Sequence, residues 1–408
     1  MQHSVEQKFI ASIRWNTFEG ILQNLFLFSH HMLLFKVVPA ALFGQVGSMI
    51  ACSYLLAAVA SAGFYAIIGN SFHAWHTCQR TFLTYIAPHI IGSACVGLLL
   101  AFVCLTVTAY YLPINTAVGL TMGGLVISET IRETLKATTQ TIFANKAHTV
   151  INTITIAAYC IVVWCRYLWG YNLDLLMLLL PLLCTSLIAN SALVFIIARW
   201  LAHATEQQKS VTQPSHTALL KARIHGATYT FSTLPFNGNM LIPALAWRTG
   251  FTDVAGLKLA NDATHYIGNL MRKAIYSGSH ALFAHTGTIN GTIHTHAWRN
   301  VRSALRYMLL WGIPLALIAC STAMLLGTTY LPALLAFGLL KLCDCFMAPH
   351  ETRCLVEGKS HLLALLGATS SLLVAIICLL PKISPTILLC AIAMTRMWPL
   401  FLLWHSTE

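Results

Sequence analysis

The chain of 408 residues is 57% hydrophobic and 9% charged, with a formal net charge of +12. Soluble domains carry about 25% charged residues, so this composition and a mean hydropathy of +0.71 exclude a soluble enzyme, a disordered chain and a nucleic-acid-binding domain. The composition is that of a membrane protein, and the length allows about twelve spans of roughly 20 residues with their turns.

Apolar stretches bounded by polar breaks predict spans over residues 15–35, 46–69, 83–110, 115–143, 146–168, 173–200, 224–247, 252–280, 303–327, 329–348, 360–381 and 384–404. A backbone that crosses hydrocarbon must satisfy its own hydrogen bonds, so each span is expected to be a helix. The eighth is amphipathic rather than uniformly apolar, the pattern of a helix with one face on a polar cavity. The N-terminus lacks a short apolar core followed by a small-residue cleavage site, so no removable signal peptide is expected. The longest polar run, Glu206–Ser215, falls near the middle. It predicts a first bundle over residues 1–201, a cytoplasmic linker over 202–222 and a second bundle over 223–408.

Lys and Arg give the expected orientation. With the N-terminus inside, 17 of the 24 basic residues fall on the cytoplasmic side and five on the outer side. That bias follows the positive-inside rule and places both termini in the cytoplasm. It also accounts for most of the net charge, which is spread over short loops instead of forming one basic face.

The halves overlay in three places. Gly44–Tyr54 matches Gly256–Tyr266 in end residues and register, at an offset of 212. Arg80, Leu83 and Tyr85 match Arg302, Leu305 and Tyr307 at 222, and Lys146-Ala-His148 matches Lys359-Ser-His361 at 213. The expected fold is therefore an all-α polytopic membrane protein of about twelve helices, in two six-helix bundles related by a parallel pseudo-two-fold repeat. Such an architecture puts the functional site between the bundles.

Polar residues inside the spans are the candidates for that site, because ionisable groups in a bilayer are costly. In the first span Asn16, Glu19, Asn24, His30 and His31 interrupt an apolar helix, and Asn24 and His31, seven apart, share a face. In the eighth, Lys258, Asn261, Asp262 and His265 occupy successive turns of one face, and Lys258 and Asp262 are spaced for an ion pair. Arg272 and Lys273 are expected at an inner vestibule, attracting an anionic headgroup. Glu129, Arg132, Glu133 and Lys136 read as a salt-bridged cytoplasmic end of the fourth span. Lys341 and Asp344 lie three apart in the tenth, and Arg396 in the twelfth is placed to snorkel to the interface.

The 13 cysteines lie mostly in apolar runs, where a thiol behaves as a small hydrophobe. Cys343 and Cys345 lack a partner pair at zinc-site spacing, and His285, His294 and His296 are a weak metal cluster. No metal or cofactor is expected. Asn290-Gly-Thr292 has the glycosylation pattern but falls on a loop assigned to the inside.

The layout of residues 18–68 has a first helix, a short loop, the Phe43-Gly44 pair and a second helix rich in small residues. It resembles the start of polysaccharide and oligosaccharide-lipid flippases of the multidrug/oligosaccharidyl-lipid/polysaccharide (MOP) exporter superfamily. The long fourth span with its charged inner end, and the entry to the second half over residues 231–270, are similar to the same family. The resemblance implies a transporter working by alternating access, not an enzyme, in a plasma membrane. Its first implied function is a flippase for lipid-linked oligosaccharide or polysaccharide precursors. Asn24, His30, His31, Lys258, Asn261, Asp262, His265 and Arg272 would then line the central cavity, with basic groups meeting a pyrophosphate. The alternative is an H⁺- or Na⁺-coupled multidrug antiporter, for which Asp262 is the best titratable residue. A multi-span transferase or polymerase is a third reading, weakened by the short loops. The expected partners are an anionic amphiphile and membrane lipids, with no nucleic acid, and a monomer.

Overall fold

The computed structural model describes residues 2–75, 79–111, 115–203, 215–233, 238–286, 288–289, 292–293, 297–304, 306, 331–357, 359–379 and 387–395. The first half contains α1 (Gln2–Val37), α2 (Ala40–Ala60), three short helices α3 (Phe64–Asn70), α4 (Phe72–Trp75) and α5 (Gln79–Tyr85), then α6 (Ala87–Tyr111), α7 (Thr116–Thr141), α8 (Asn145–Leu168) and α9 (Leu175–Ala202). The second contains α10 (His216–Thr233), α11 (Gly238–Thr249), α12 (Phe251–Thr286), α13 (Leu331–Val356) and α14 (Ser360–Leu379). Residues 297–304 and 387–395 are also helical. A two-residue ladder, Thr288↔Ile293 and Ile289↔Thr292, follows α12.

Local sequence explains the breaks between helices. Asn115 accepts from the Ala117 N–H at 3.0 Å and Asp174 accepts from the Met177 N–H at 2.7 Å, capping α7 and α9. α8 ends where Gly170 takes φ 80, with the Tyr171 N–H bonded to the Arg166 carbonyl. This paired closure satisfies carbonyls that the helix end leaves over. α7 ends the same way, but with Phe143 at φ 58 in the place a glycine favours.

Among the described residues five helices are long and apolar enough to cross a membrane, including α2, α8 and α9. α1, α7 and α12, which carry the buried Glu19, Glu129 and Asp262, are not among them. α1 and α12 each run for 36 residues. At 1.5 Å per residue each is about 54 Å long, well beyond the roughly 30 Å of hydrocarbon. Leu98, Leu99, Phe102, Ile154, Phe195 and Leu372 are each at least 59% exposed, as lipid-facing side chains are.

The second predicted span differs from the structure. It was expected over residues 46–69, but α2 stops at Ala60 and the chain turns at Gly63, φ 76. The small residues around Gly63 keep the segment apolar without making it helical. They also let α10 come close, since a Cβ on Gly63 would sit 2.1 Å from the Arg223 carbonyl oxygen. Most of the ninth predicted span lies outside the described residues, as do Arg396, Asn290, His294 and His296.

Each half has its own apolar core. Leu34, Phe43, Val46, Leu125, Val163 and Leu179 pack in the first, and Leu241, Leu257, Leu334, Phe337, Leu389 and Ile392 in the second. The halves meet chiefly where α1 and α2 pack on α12. Phe9 of α1 packs on Leu282 and Phe283 at the end where the chain starts. The far end of α1 closes on α12 around His31.

Candidate functional site

At the far end, α12 presents Lys258, Asn261 and Asp262, all buried. Lys258 and Asp262 are four apart, one turn, and the ammonium donates to both carboxylate oxygens. Asp262 also accepts from His31 Nδ1 of α1 at 2.7 Å. One carboxylate therefore joins the two halves and holds a cation on its own helix. The approach depends on α2, whose Gly44 and Gly47 face α12. A Cβ on Gly44 would lie 2.0 Å from the Phe251 carbonyl oxygen, and one on Gly47 would meet the Lys258 stem at 2.9 Å. Beside this bridge lies a small, partly enclosed cleft with room for about one water molecule. Its walls include His31, Phe43, Val46, Tyr159, Leu178 and Lys258.

His30 points elsewhere. Adjacent residues on a helix face about 100° apart, so His31 reaches α12 while His30 reaches α8. There it lies 3.3 Å from Tyr159 Oη and accepts from Trp164 Nε1 at 3.0 Å.

A second polar group is buried within the first half. Glu19 of α1, 0% exposed, accepts from Asn152 Nδ2 at 2.8 Å, Gln23 at 2.7 Å and Thr149 at 3.3 Å, with His148 at 3.8 Å. Asn152 in turn accepts from Arg132 at 2.9 Å. Arg132 pairs with Glu129 at 3.2 Å, and Glu129 accepts from Ser186 at 2.7 Å. Ser186 and Ser128 share a bond of 2.8 Å, and Asn190 donates to Ser128. The chain of bonds crosses α1, α8, α7 and α9. Buried polar networks of this kind are favourable only when their members are satisfied.

The structure brings together His31, Lys258 and Asp262 from the sequence candidates, with Asn261 buried next to them. Asn24, His265 and Arg272 lie on α1 and α12, but their side chains are outside the described residues. Glu129 and Arg132 do pair, as do Glu133 and Lys136 at 3.0 Å. The first pair is a buried part of the polar network, whereas sequence spacing suggested only a salt-bridged helix end. Sequence reasoning passed over Tyr159, Trp164 and Asn152, and named His148 only as part of the repeat. The available signal was that Asn152 and Tyr159 are seven apart on α8 and so share a face. Among the described residues no group of three metal-ligating side chains occurs.

No protein-family model matches the chain, and neither does a curated protein sequence. Solved structures do match. A mutant of the Vibrio cholerae MATE transporter VcmN aligns with a TM-score of 0.60 at 11% identity, over 99% of this chain and 96% of that one. An outward-facing multidrug resistance MATE family transporter of the MOP superfamily aligns at 0.54 and 10% identity, over 98% and 94%. A MATE protein in a straight conformation aligns at 0.54 and 11%, over 99% and 96%. The fold is the MATE fold. It matches a twelve-helix transporter architecture. The His31–Asp262 bridge ties α1, in the first half of the chain, to α12 in the second.

Proposed function

We propose that the chain is a cation-coupled antiporter, exporting amphiphilic molecules from the cytoplasm in exchange for H⁺ or Na⁺. The observation that carries this reading is the single carboxylate of Asp262, buried at the bundle interface and shared between Lys258 and His31. A charge-assisted bond of this kind contributes about 1.5–3 kcal/mol. Removing one partner from a buried pair is strongly unfavourable, so the far ends part only when something replaces His31 at the carboxylate. A coupling cation entering from outside does so. The positive-inside bias assigns the end where the chain starts to the cytoplasm, which makes the far end the outer one.

The fold supports this reading over a flippase for lipid-linked sugars, since the matching structures include a multidrug resistance transporter. The charge arrangement points the same way. Lys258, expected to meet a pyrophosphate, is already neutralised by Asp262.

Efflux of a fluorescent amphiphile from proteoliposomes tests the proposal. Wild-type protein should respond to an imposed H⁺ or Na⁺ gradient, and Asp262→Asn should lose at least tenfold of that gradient dependence. Gradient-driven efflux that persists in D262N removes Asp262 from the mechanism. Transfer of a labelled lipid-linked sugar between leaflets, with no ion dependence, would reinstate the flippase reading.

A further inference from the structure

The helix over residues 297–304, continued at Arg306, carries its charge on one side. Ala297 and Val301 are buried, and with Trp298 they join Phe9, Leu282 and Phe283 in the closure at the end where the chain starts. Successive residues turn by about 100°, so Arg299, Arg302 and Arg306 fall within about 60° of one another, opposite the buried side. Arg299 and Arg306 are exposed and Arg302 is half-buried. The stretch AWRNVRSALR contains no acidic residue. Among the described residues no carboxylate pairs with any of these three arginines.

Trp298 extends this face to a second element. Its ring centroid lies 5.8 Å from the guanidinium carbon of Arg302 and 5.0 Å from that of Arg353, near the end of α13. A guanidinium over an indole is held there by the ring's negative face. The acids at this end of α13 do little to offset the charge. Glu351 is buried, and Glu357, its side chain 2% exposed, is shared between Arg353 and Lys359 at 2.9 Å each. Arg299, Arg302, Arg306, Arg353 and Lys359 thus make a cationic patch in which, among the described residues, only Glu357 pairs with a member.

The patch borders hydrocarbon. Arg306 leads directly into the apolar run that opens at Tyr307. Lys359 precedes α14, whose Leu362 and Leu365 are 41% and 62% exposed, as lipid-facing side chains are. Tryptophan itself favours the membrane–water boundary.

We propose that this patch binds the phosphate diester of an anionic phospholipid, in the leaflet on the side where the chain starts. The arginines meet the headgroup and the apolar flanks meet its acyl chains. The site lies at the opposite end of α1 from the His31–Asp262 bridge and does not depend on the antiport reading.

The test titrates delipidated full chain in detergent with phosphatidylglycerol, or with phosphatidylcholine of the same acyl chains, and counts bound lipid by native mass spectrometry. The wild type should prefer phosphatidylglycerol by about tenfold, and Arg302→Gln should cut that preference roughly fivefold, the worth of one basic residue at an anionic headgroup. The double variant Arg299→Gln/Arg306→Gln should cut it further. It reads the site even if R302Q does not fold, since both of its side chains are exposed. Arg199→Gln, an exposed arginine near the end of α9, should leave the preference unchanged. Glycerol phosphate in millimolar excess should not displace the lipid. Displacement would mean a site for free phosphate compounds and would overturn the lipid assignment. A loss in R199Q as large as in R302Q would reduce the effect to net charge and overturn the site. Equal affinity for both lipids in the wild type, or a preference that survives the patch variants, would overturn it as well.

Discussion

Asn152 has an uncommon position for a residue in an apolar span. Its amide donates to Glu19 at 2.8 Å, its carbonyl accepts from Arg132 at 2.9 Å, and its Nδ2 lies 2.8 Å from His148 Nε2. It thereby links α1, α7 and α8. Asn152→Leu keeps the branching at Cγ but takes one bond each from a buried carboxylate and a guanidinium. Each group left short costs about 1–3 kcal/mol. Thermal unfolding in detergent should show a clear loss of stability, and an unchanged midpoint would mean the network is not cohesive. Only part of this site was legible in the sequence. Helical spacing exposes partners one turn apart, so Lys258–Asp262 and Glu129–Arg132 could be read directly. His31 and Asp262 are 231 positions apart, and Glu19 and Asn152 are 133 apart. No periodicity carries pairings at such separations, which only the packing of α1 against α12 and α8 creates.

At the scale of helices, α2 controls how closely the bundles approach at the far end. Gly44 meets backbone of α12, which cannot swing aside as a side chain can. Gly44→Ala should therefore force α2 and α12 apart, at about 1–3 kcal/mol as for other overpacked sites. A cysteine placed at Val46, which is buried in the closed interface, should react faster with a membrane-impermeant maleimide in the G44A background. No acceleration would show that the interface yields elsewhere. Gly47→Ala acts differently, displacing the Lys258 stem from its place beside Asp262. Helix existence was legible from apolar runs, since hydrocarbon leaves the backbone no alternative. The end of α2 was not, because Ala, Ser and Gly fit a helix and a turn equally well in composition. Gly63 is decided by its positive φ and by the Arg223 carbonyl against it, which belongs to the other half of the chain.

Among the described residues, the halves close on each other at both ends of α1. At the end where the chain starts, Phe9 packs on Leu282 and Phe283, His280 lies 3.2 Å from the Tyr65 carbonyl, and His285 lies 3.1 Å from the Thr141 carbonyl. At the far end the closure rests on His31–Asp262 and the glycine face of α2. The proposed antiport by alternating access would require that each closure break while the other holds. The net charge of +12, prominent in a chain with so few charges, bears little on this step. By the sequence's Lys and Arg distribution most of it follows the positive-inside pattern, and in the proposed antiport one carboxylate between two nitrogens would carry the switch. Losing a bond of about 1.5–3 kcal/mol shifts a two-state ratio by roughly ten- to a hundredfold. The most direct measurement is the distance between nitroxide-bearing unnatural amino acids at Val37 and Thr252, both exposed at the far end. Pulsed electron resonance should find one short distance in the wild type and a dominant longer one in Asp262→Asn. Identical distance distributions in the two proteins would contradict the account.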